Sequence, residues 1–222
     1  MREQLWITTK VRFDFIPNHQ AHDFQDSDFH YTQLKTRFDQ TLKDLKTDYL
    51  DLVLLHWPTR TENDIQAFET LLDFKKAGKI RQVGIANFPL SQLELLYQRF
   101  GSEIFTDQIE WHACLATPAL EAFAKEKNLT LTAYSPLGQG HLLKNQILLT
   151  LAKELGISVA QLAISYLLAK GAVVIPKASS RERLQENFKS LELKLPEQII
   201  TLIDALPKTY RYCNPPFAPQ WK

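Results

Sequence analysis

Six strand-like runs end in polar residues: Lys10, His56, Asn87, Gln108 with Glu110, Tyr134 with Ser135, and Lys177. Each follows an apolar stretch and precedes a loop, as in Leu52-Val-Leu-Leu-His56 and Val174-Ile-Pro-Lys177. The C-terminal tips of parallel strands are where α/β proteins place their chemistry. Taken singly, each residue has an ordinary structural explanation. Together, a lysine, a histidine, two amides and a tyrosine converging on one mouth could hold a polar substrate and a flat cofactor ring. The segment Lys177-Ala-Ser-Ser-Arg181-Glu-Arg183 adds a lysine, hydroxyls and arginines at a strand-to-helix junction, a natural anion site.

The elements that must position these tips alternate regularly. Strands are expected at residues 5–10, 51–56, 80–87, 105–111, 129–135 and 173–176. Helices are expected at 33–46, 64–77, 91–100, 118–127, 146–155, 159–169, 180–189 and 197–206. The first helix carries Leu34, Phe38, Leu42 and Leu45 at spacings of three and four, and Ser158 is placed to cap the helix at 159. Six β-α units of this kind require a parallel sheet, because parallel strands need right-handed crossovers. An open doubly wound sheet and a (β/α)8 barrel both fit the alternation, and a full barrel needs two more units. The Pro- and aromatic-rich stretch from Tyr210 to the end reads as an ordered tail.

Composition excludes several classes. The 222 residues carry a formal charge of +1, which offers no electrostatic footprint for nucleic acid or an anionic membrane. Cys114 and Cys213 match no metal spacing and read as idle thiols of a reducing cytosol, so a cytoplasmic location is expected. No strand is followed by a Gly-x-Gly-x-x-Gly turn or a Walker-type loop, which disfavours Rossmann and P-loop nucleotide binding. The stretch 13–31 holds His19, His22, Asp23, Asp26, Asp28 and His30, which is read as a solvated loop over the substrate mouth in preference to a metal cluster.

The segments LWITTK, TDYLDLVLLHWP, VGIANF, TDQIEWH, TAYSPLGQG and VIPKASSRERLQEN, in this order, resemble the signatures of the aldo-keto reductase family. The compact bacterial 2,5-diketo-D-gluconate reductase type is most similar, partly through the ending Phe217-Ala-Pro-Gln-Trp221. The resemblance runs from Leu5 to the C-terminus and implies a single domain over residues 1–222, an α/β (β/α)8 TIM barrel with about six of eight units present. It implies NADPH as cofactor, a small-molecule carbonyl compound as substrate, no nucleic-acid or membrane partner, and a monomer in the complete enzyme.

The resemblance also implies roles. Lys10 matches the lysine that lowers the catalytic tyrosine's pKa, and His56 the histidine that orients the carbonyl. Asn87 and Gln108 would hold the nicotinamide carboxamide, and Tyr134 would stack on the ring. Ser135 and Leu137 would lie along the pyrophosphate. Lys177 and Arg183 would take the adenosine 2′-phosphate, with Glu186 and Asn187 at the adenine. Trp57 and Trp221 would line the substrate pocket.

Two departures from the family pattern each remove a hydroxyl. Ala86 stands where a serine usually precedes the carboxamide asparagine, and Ala178 where one follows the phosphate-site lysine. Each loses a hydrogen bond worth roughly 0.5–1.5 kcal/mol net, and Ser179 and Ser180 stand close enough in sequence to compensate for the second. The family's general acid, a tyrosine, and the aspartate that pairs with the lysine belong to the first two β-α units. Both lie ahead of the third strand, with which this chain is expected to begin, so a fragment lacking them is expected. Losing a general acid lowers a rate by roughly 10²–10⁴-fold. The alternative expectation is a non-catalytic NADPH-binding or scaffold protein.

Overall fold

The computed structural model describes residues 2–11, 31–59 and 61–221. They divide into two compact units, Met1–Asp107 with Pro215–Lys222, and Gln108–Asn214. The loop with His19, His22, Asp23, Asp26, Asp28 and His30 lies outside the described residues.

In the first unit the strands β1 (Thr8–Val11), β2 (Leu50–Leu55), β3 (Ile80–Ala86) and the first part of β4 (Ile104–Glu110) lie in sequence order. β1 pairs parallel with β2, and β2 with β3. Helices α1 (Tyr31–Leu45), α2 (Thr61–Lys76) and α3 (Leu90–Phe100) supply the crossovers. All six residues of β2 are buried, which explains its unbroken Leu/Val character: a parallel strand is covered on both faces and has no polar side. Gly84 in β3 is required sterically, because a Cβ there would lie 2.7 Å from the Thr106 carbonyl oxygen and 2.8 Å from Leu54 Cδ2. The apolar stripe of α1 packs through Leu34, Phe38 and Leu42, with Phe38 stacked on Phe74 at 4.8 Å. Leu45, expected on that stripe, is exposed, because the helix ends there and the chain turns at Lys46 with φ 52°.

The opening strand is shorter than expected. Residues 2–4 form a single helical turn and Leu5 and Trp6 are exposed, so regular strand begins only at Thr8. The cause is a charge cluster. Asp51, fully buried, pairs with Arg2 at 2.8 Å and Arg81 at 2.9 Å, and accepts the Ile7 N–H at 2.9 Å. Burial pushes the Asp51 carboxyl up, but these donors outweigh it and hold it below the usual carboxylate range.

The second unit contains the rest of β4, β5 (Thr130–Tyr134) and β6 (Val173–Ile175), again in sequence order, with β5 and β6 parallel. Its helices are α4 (Pro118–Lys127), α5 (Gln146–Glu154), α6 (Val159–Ala169), α7 (Arg181–Lys189) and α8 (Glu197–Asp204). Ser158 closes a full capping box with Gln161, as its position before α6 predicts. Eight of the eleven residues of α6 are buried, and the helix is the unit's core. Among the described residues no single helix is long and apolar enough to cross a membrane.

Candidate active site and cofactor groove

The first unit brings three strand tips side by side. Lys10 pairs in register with Leu54, and the His56 N–H donates to the Val11 carbonyl at 2.9 Å, so Lys10 and His56 end adjacent strands. The pairing of Leu55 with Ile85 carries the register on to Asn87. Asn87 is held in the left-handed region, φ 66°, and its Nδ2 donates to the His56 carbonyl at 2.9 Å. The histidine backbone and the buried asparagine are thus tied to each other. Partial desolvation at the strand end draws the Lys10 pKa below the ordinary lysine value.

Trp57 forms the wall beside them. It is 8% exposed, with its ring 6.2 Å from His56, and receives Phe217 edge-on at 5.5 Å and Trp221 at 6.1 Å. Both expected substrate-pocket tryptophans therefore meet in one aromatic cluster, together with Phe217. Tyr49 is committed elsewhere, its ring flanked by the guanidinium groups of Arg2 at 4.0 Å and Arg81 at 4.4 Å.

Sequence reasoning gave no part to Asp107. This carboxyl in β4 is fully buried and neither oxygen has a hydrogen-bond partner. Burial pushes it up to about 8, against a smaller opposing pull from the Phe88 and Asn87 N–H groups that face it. Burial thus favours its protonated form beside the backbone turn that carries Asn87.

The second unit contains a groove of about 670 Å3 lined by Ser135, Pro136, Leu137, Gln139, Gly140, Leu143, Lys177, Arg183, Glu186 and Asn187 among others. That is a volume typical of small-molecule and cofactor sites. Ser135, Leu137, Lys177, Arg183, Glu186 and Asn187, singled out from the sequence, meet here. Arg183, Glu186 and Asn187 share one face of α7 by their spacing of three and four. Tyr134 pairs in register with Ile175, two residues before Lys177, which sets the strand ends of β5 and β6 level. Ser135 has φ 49°, and its carbonyl accepts the Gly138 N–H at 2.8 Å, closing a tight turn at the groove edge. Ser180 does not stand free to replace the hydroxyl absent at Ala178: its Oγ already accepts the Arg183 N–H at 3.3 Å as the cap of α7.

The donor set fits a dinucleotide. Two cations, an amide, a carboxylate and backbone at a tight turn could hold phosphates and a heterocycle without a glycine-rich loop. Gln108, also in this unit, is buried, and Tyr134 is half-buried with its pKa raised first by burial and then by the Cys213 thiol.

Glu110 is the second residue whose part was missed. Its buried carboxylate accepts the Tyr212 N–H at 2.8 Å and the Cys213 N–H at 2.9 Å, with His112 Nε2 at 3.4 Å and Arg211 Nη1 at 3.7 Å. Burial raises its pKa, but His112 and the two N–H donors outweigh that and keep it ionised. Within the tail expected from Tyr210 onward, this carboxylate ties down Tyr212 and Cys213. Among the described residues no group of three or more His, Cys, Asp or Glu could hold a metal ion.

Comparison with known proteins agrees with this arrangement. The model of the aldo/keto reductase family matches residues 1–208. The chain is 34% identical over 210 residues to glyoxal reductase of Bacillus subtilis, a match covering 95% of this chain and 71% of that one. It is 31% identical over 224 residues to methylglyoxal reductase DkgB of Escherichia coli O157:H7, covering 99% of this chain and 79% of the other. Among solved structures, a putative 2,5-diketo-D-gluconic acid reductase B superposes with a TM-score of 0.84 at 26% identity, over 100% of this chain and 75% of that one. MGS-M4, an aldo-keto reductase from a Medee basin deep-sea metagenome library, gives 0.83 at 28% identity, over 96% and 75%. The six parallel strands and their helices correspond to an incomplete (β/α)8 barrel of this type. By the family model, by relatives above 30% identity and by its α/β fold, the chain belongs to the aldo/keto reductase family of oxidoreductases.

Proposed function

We propose that the chain serves the NADPH-dependent reduction of aldehydes or ketones to alcohols, in the cytoplasm. The observation that carries this reading is the groove of about 670 Å3 in which Lys177, Arg183, Glu186 and Asn187 line up along one strand-to-helix junction. NADPH, when bound, supplies a hydride to the carbonyl carbon. Lys177 and Arg183 pair with the 2′-phosphate, whose dianionic charge matches two cations and which NADH lacks. Glu186 and Asn187 meet the adenine, and Ser135 and Leu137 border the pyrophosphate. Tyr134 offers a flat face to the nicotinamide, and Asn87 and Gln108 hold its carboxamide.

The remaining roles belong to the first unit. His56 orients the carbonyl oxygen, Trp57 and Trp221 exclude water around the substrate, and Lys10 lowers the pKa of the tyrosine-type acid that protonates that oxygen. One observation favours a second reading, a non-catalytic NADPH-binding protein. Tyr49 is clasped by two arginines and Tyr134 is engaged with Cys213, so neither is placed to be that acid.

Fluorescence titration with NADPH and NADH tests the reading. Lys177→Ala should weaken NADPH roughly tenfold, the loss of one charge-assisted contact at an exposed site, and leave NADH within twofold. Equal weakening of both, or of neither, would refute the 2′-phosphate assignment. Tight NADPH binding without turnover of simple aldehydes decides for the second reading.

A further inference from the structure

The carboxylate of Glu110 has a consequence for the groove that its distance along the chain conceals. It holds the Tyr212 and Cys213 N–H groups at 2.8 and 2.9 Å, and so fixes where the Tyr212 ring lies. That ring stacks on His141 with centroids 4.5 Å apart and planes 3° from parallel, and the His112 ring lies 5.4 Å away on the same tyrosine. Tyr212 also covers Gly138 so closely that a Cβ there would lie 2.9 Å from its Cε2.

Gly138 and His141 belong to the loop Gly138–Lys144, and the same loop sends Gln139, Gly140 and Leu143 into the groove wall. The loop is closed locally by the Gly138 N–H to the Ser135 carbonyl at 2.8 Å and the Gly140 N–H to the Leu137 carbonyl at 2.9 Å, and it meets the tail through side chains. Gly138, Gln139 and Gly140 all have positive φ, of 53°, 53° and 92°, and a non-glycine such as Gln139 adopts that region only when its surroundings impose it. The tail contributes the Tyr212 ring, which lies against Gly138 and His141.

We propose that Glu110 and Tyr212 are positioning residues for the cofactor groove: the buried carboxylate fixes the tail, and the Tyr212 ring, stacked on His141 and laid against Gly138, holds the Gly138–Lys144 loop where it walls the groove, so that the pair governs how fast a bound dinucleotide leaves. Neither residue lines the groove, and neither touches the ligand. The inference rests on the reading that the groove takes NADPH. A wall held from behind resists opening more than it impedes entry, so the effect falls on dissociation.

Stopped-flow fluorescence on the whole chain, measuring NADPH association and displacement separately, tests it. Tyr212→Ala should raise the dissociation rate roughly three- to tenfold, the scale of one lost aromatic stack, with association within twofold. Tyr212→Phe keeps the ring and should match the unaltered chain. His141→Ala removes the stack from the loop side without touching the tail anchor and should reproduce the Tyr212→Ala rate, which keeps the test alive if that variant fails to fold. Glu110→Gln has one acceptor oxygen for two N–H donors and should fall between. Unchanged dissociation in both Tyr212→Ala and His141→Ala, or a Tyr212→Phe that behaves like Tyr212→Ala, overturns the inference while leaving NADPH binding intact. No NADPH binding by the unaltered chain overturns the dinucleotide reading and the inference together.

Discussion

Asp107 makes the stability of this protein depend on pH in a direction opposite to that of most aspartates. Its carboxyl is fully buried and pushed up to about 8 by that burial, from an ordinary value of 3.8. Between those two values the folded chain holds a proton that the unfolded chain has released. Stability therefore falls as pH rises through this window, by about 1.4 kcal/mol per unit. Over the full window the loss reaches about 5 kcal/mol, and from pH 5 to 7.5 about 3 kcal/mol. Asp107→Asn keeps the shape and removes the titration. The unfolding free energy of the variant relative to the unaltered chain should thus rise steadily with pH, by about 3 kcal/mol between pH 5 and pH 7.5. Urea melts at half-unit steps of pH measure this directly. In thermal melts the same rise corresponds to a widening of roughly 6–12 °C between pH 5 and pH 7.5 for a chain of this size. Other groups that titrate in this range cancel in the difference. Two curves that run parallel from pH 5 to 7.5 would show that Asp107 is ionised in the folded state, and the account of its environment would be wrong.

The opposite sign is expected at Asp51, whose folded pKa is held below the unfolded value by Ile7, Arg2 and Arg81. Its contribution is present above the unfolded value near 4 and is lost as pH falls through the folded one. Asp51→Asn should cost about 1–3 kcal/mol at pH 7 and little at pH 2.5 by urea denaturation, since the partner arginines keep access to water. Ser158→Ala opens the capping box of α6 and should cost about 1 kcal/mol in the same assay. Gly84→Ala places a Cβ within 2.8 Å of both a carbonyl oxygen and a leucine methyl, and should cost more than 1 kcal/mol or abolish soluble expression.

What the sequence disclosed, and what it withheld, divides by the kind of contact. The alternation of strands and helices was legible because burial imposes a period on side chains, as in the fully apolar β2 and the Leu34-Phe38-Leu42 stripe of α1. The cap of α6 was legible because Ser158 and Gln161 stand at the spacing a capping box needs. The groove was legible in part, since Arg183, Glu186 and Asn187 share a helix face by spacing alone. Ends were less so: Leu45 fell off its stripe, and β1 begins at Thr8 because Asp51, far along the chain, draws Arg2 and Ile7 into its own contacts.

Glu110 and Asp107 show why the rest stayed hidden. Glu110 stood out as a strand-tip residue but its role did not, because its partners are backbone N–H groups 102 and 103 positions later. An N–H belongs to every residue except proline, so no residue type at Tyr212 or Cys213 announces that contact. Asp107 lies near the N–H groups of Asn87 and Phe88 without a hydrogen bond to either oxygen, and its chemistry follows from burial, which one charged letter within a strand does not disclose. Chemistry carried by side-chain type at a strand tip can be read from a sequence, because the tip is fixed by a periodic pattern. Chemistry carried by a buried acid meeting distant backbone depends on where the chain returns, and that is a property of the fold. In this protein the residues of the first kind are those proposed to meet cofactor and substrate, and those of the second kind hold them in place.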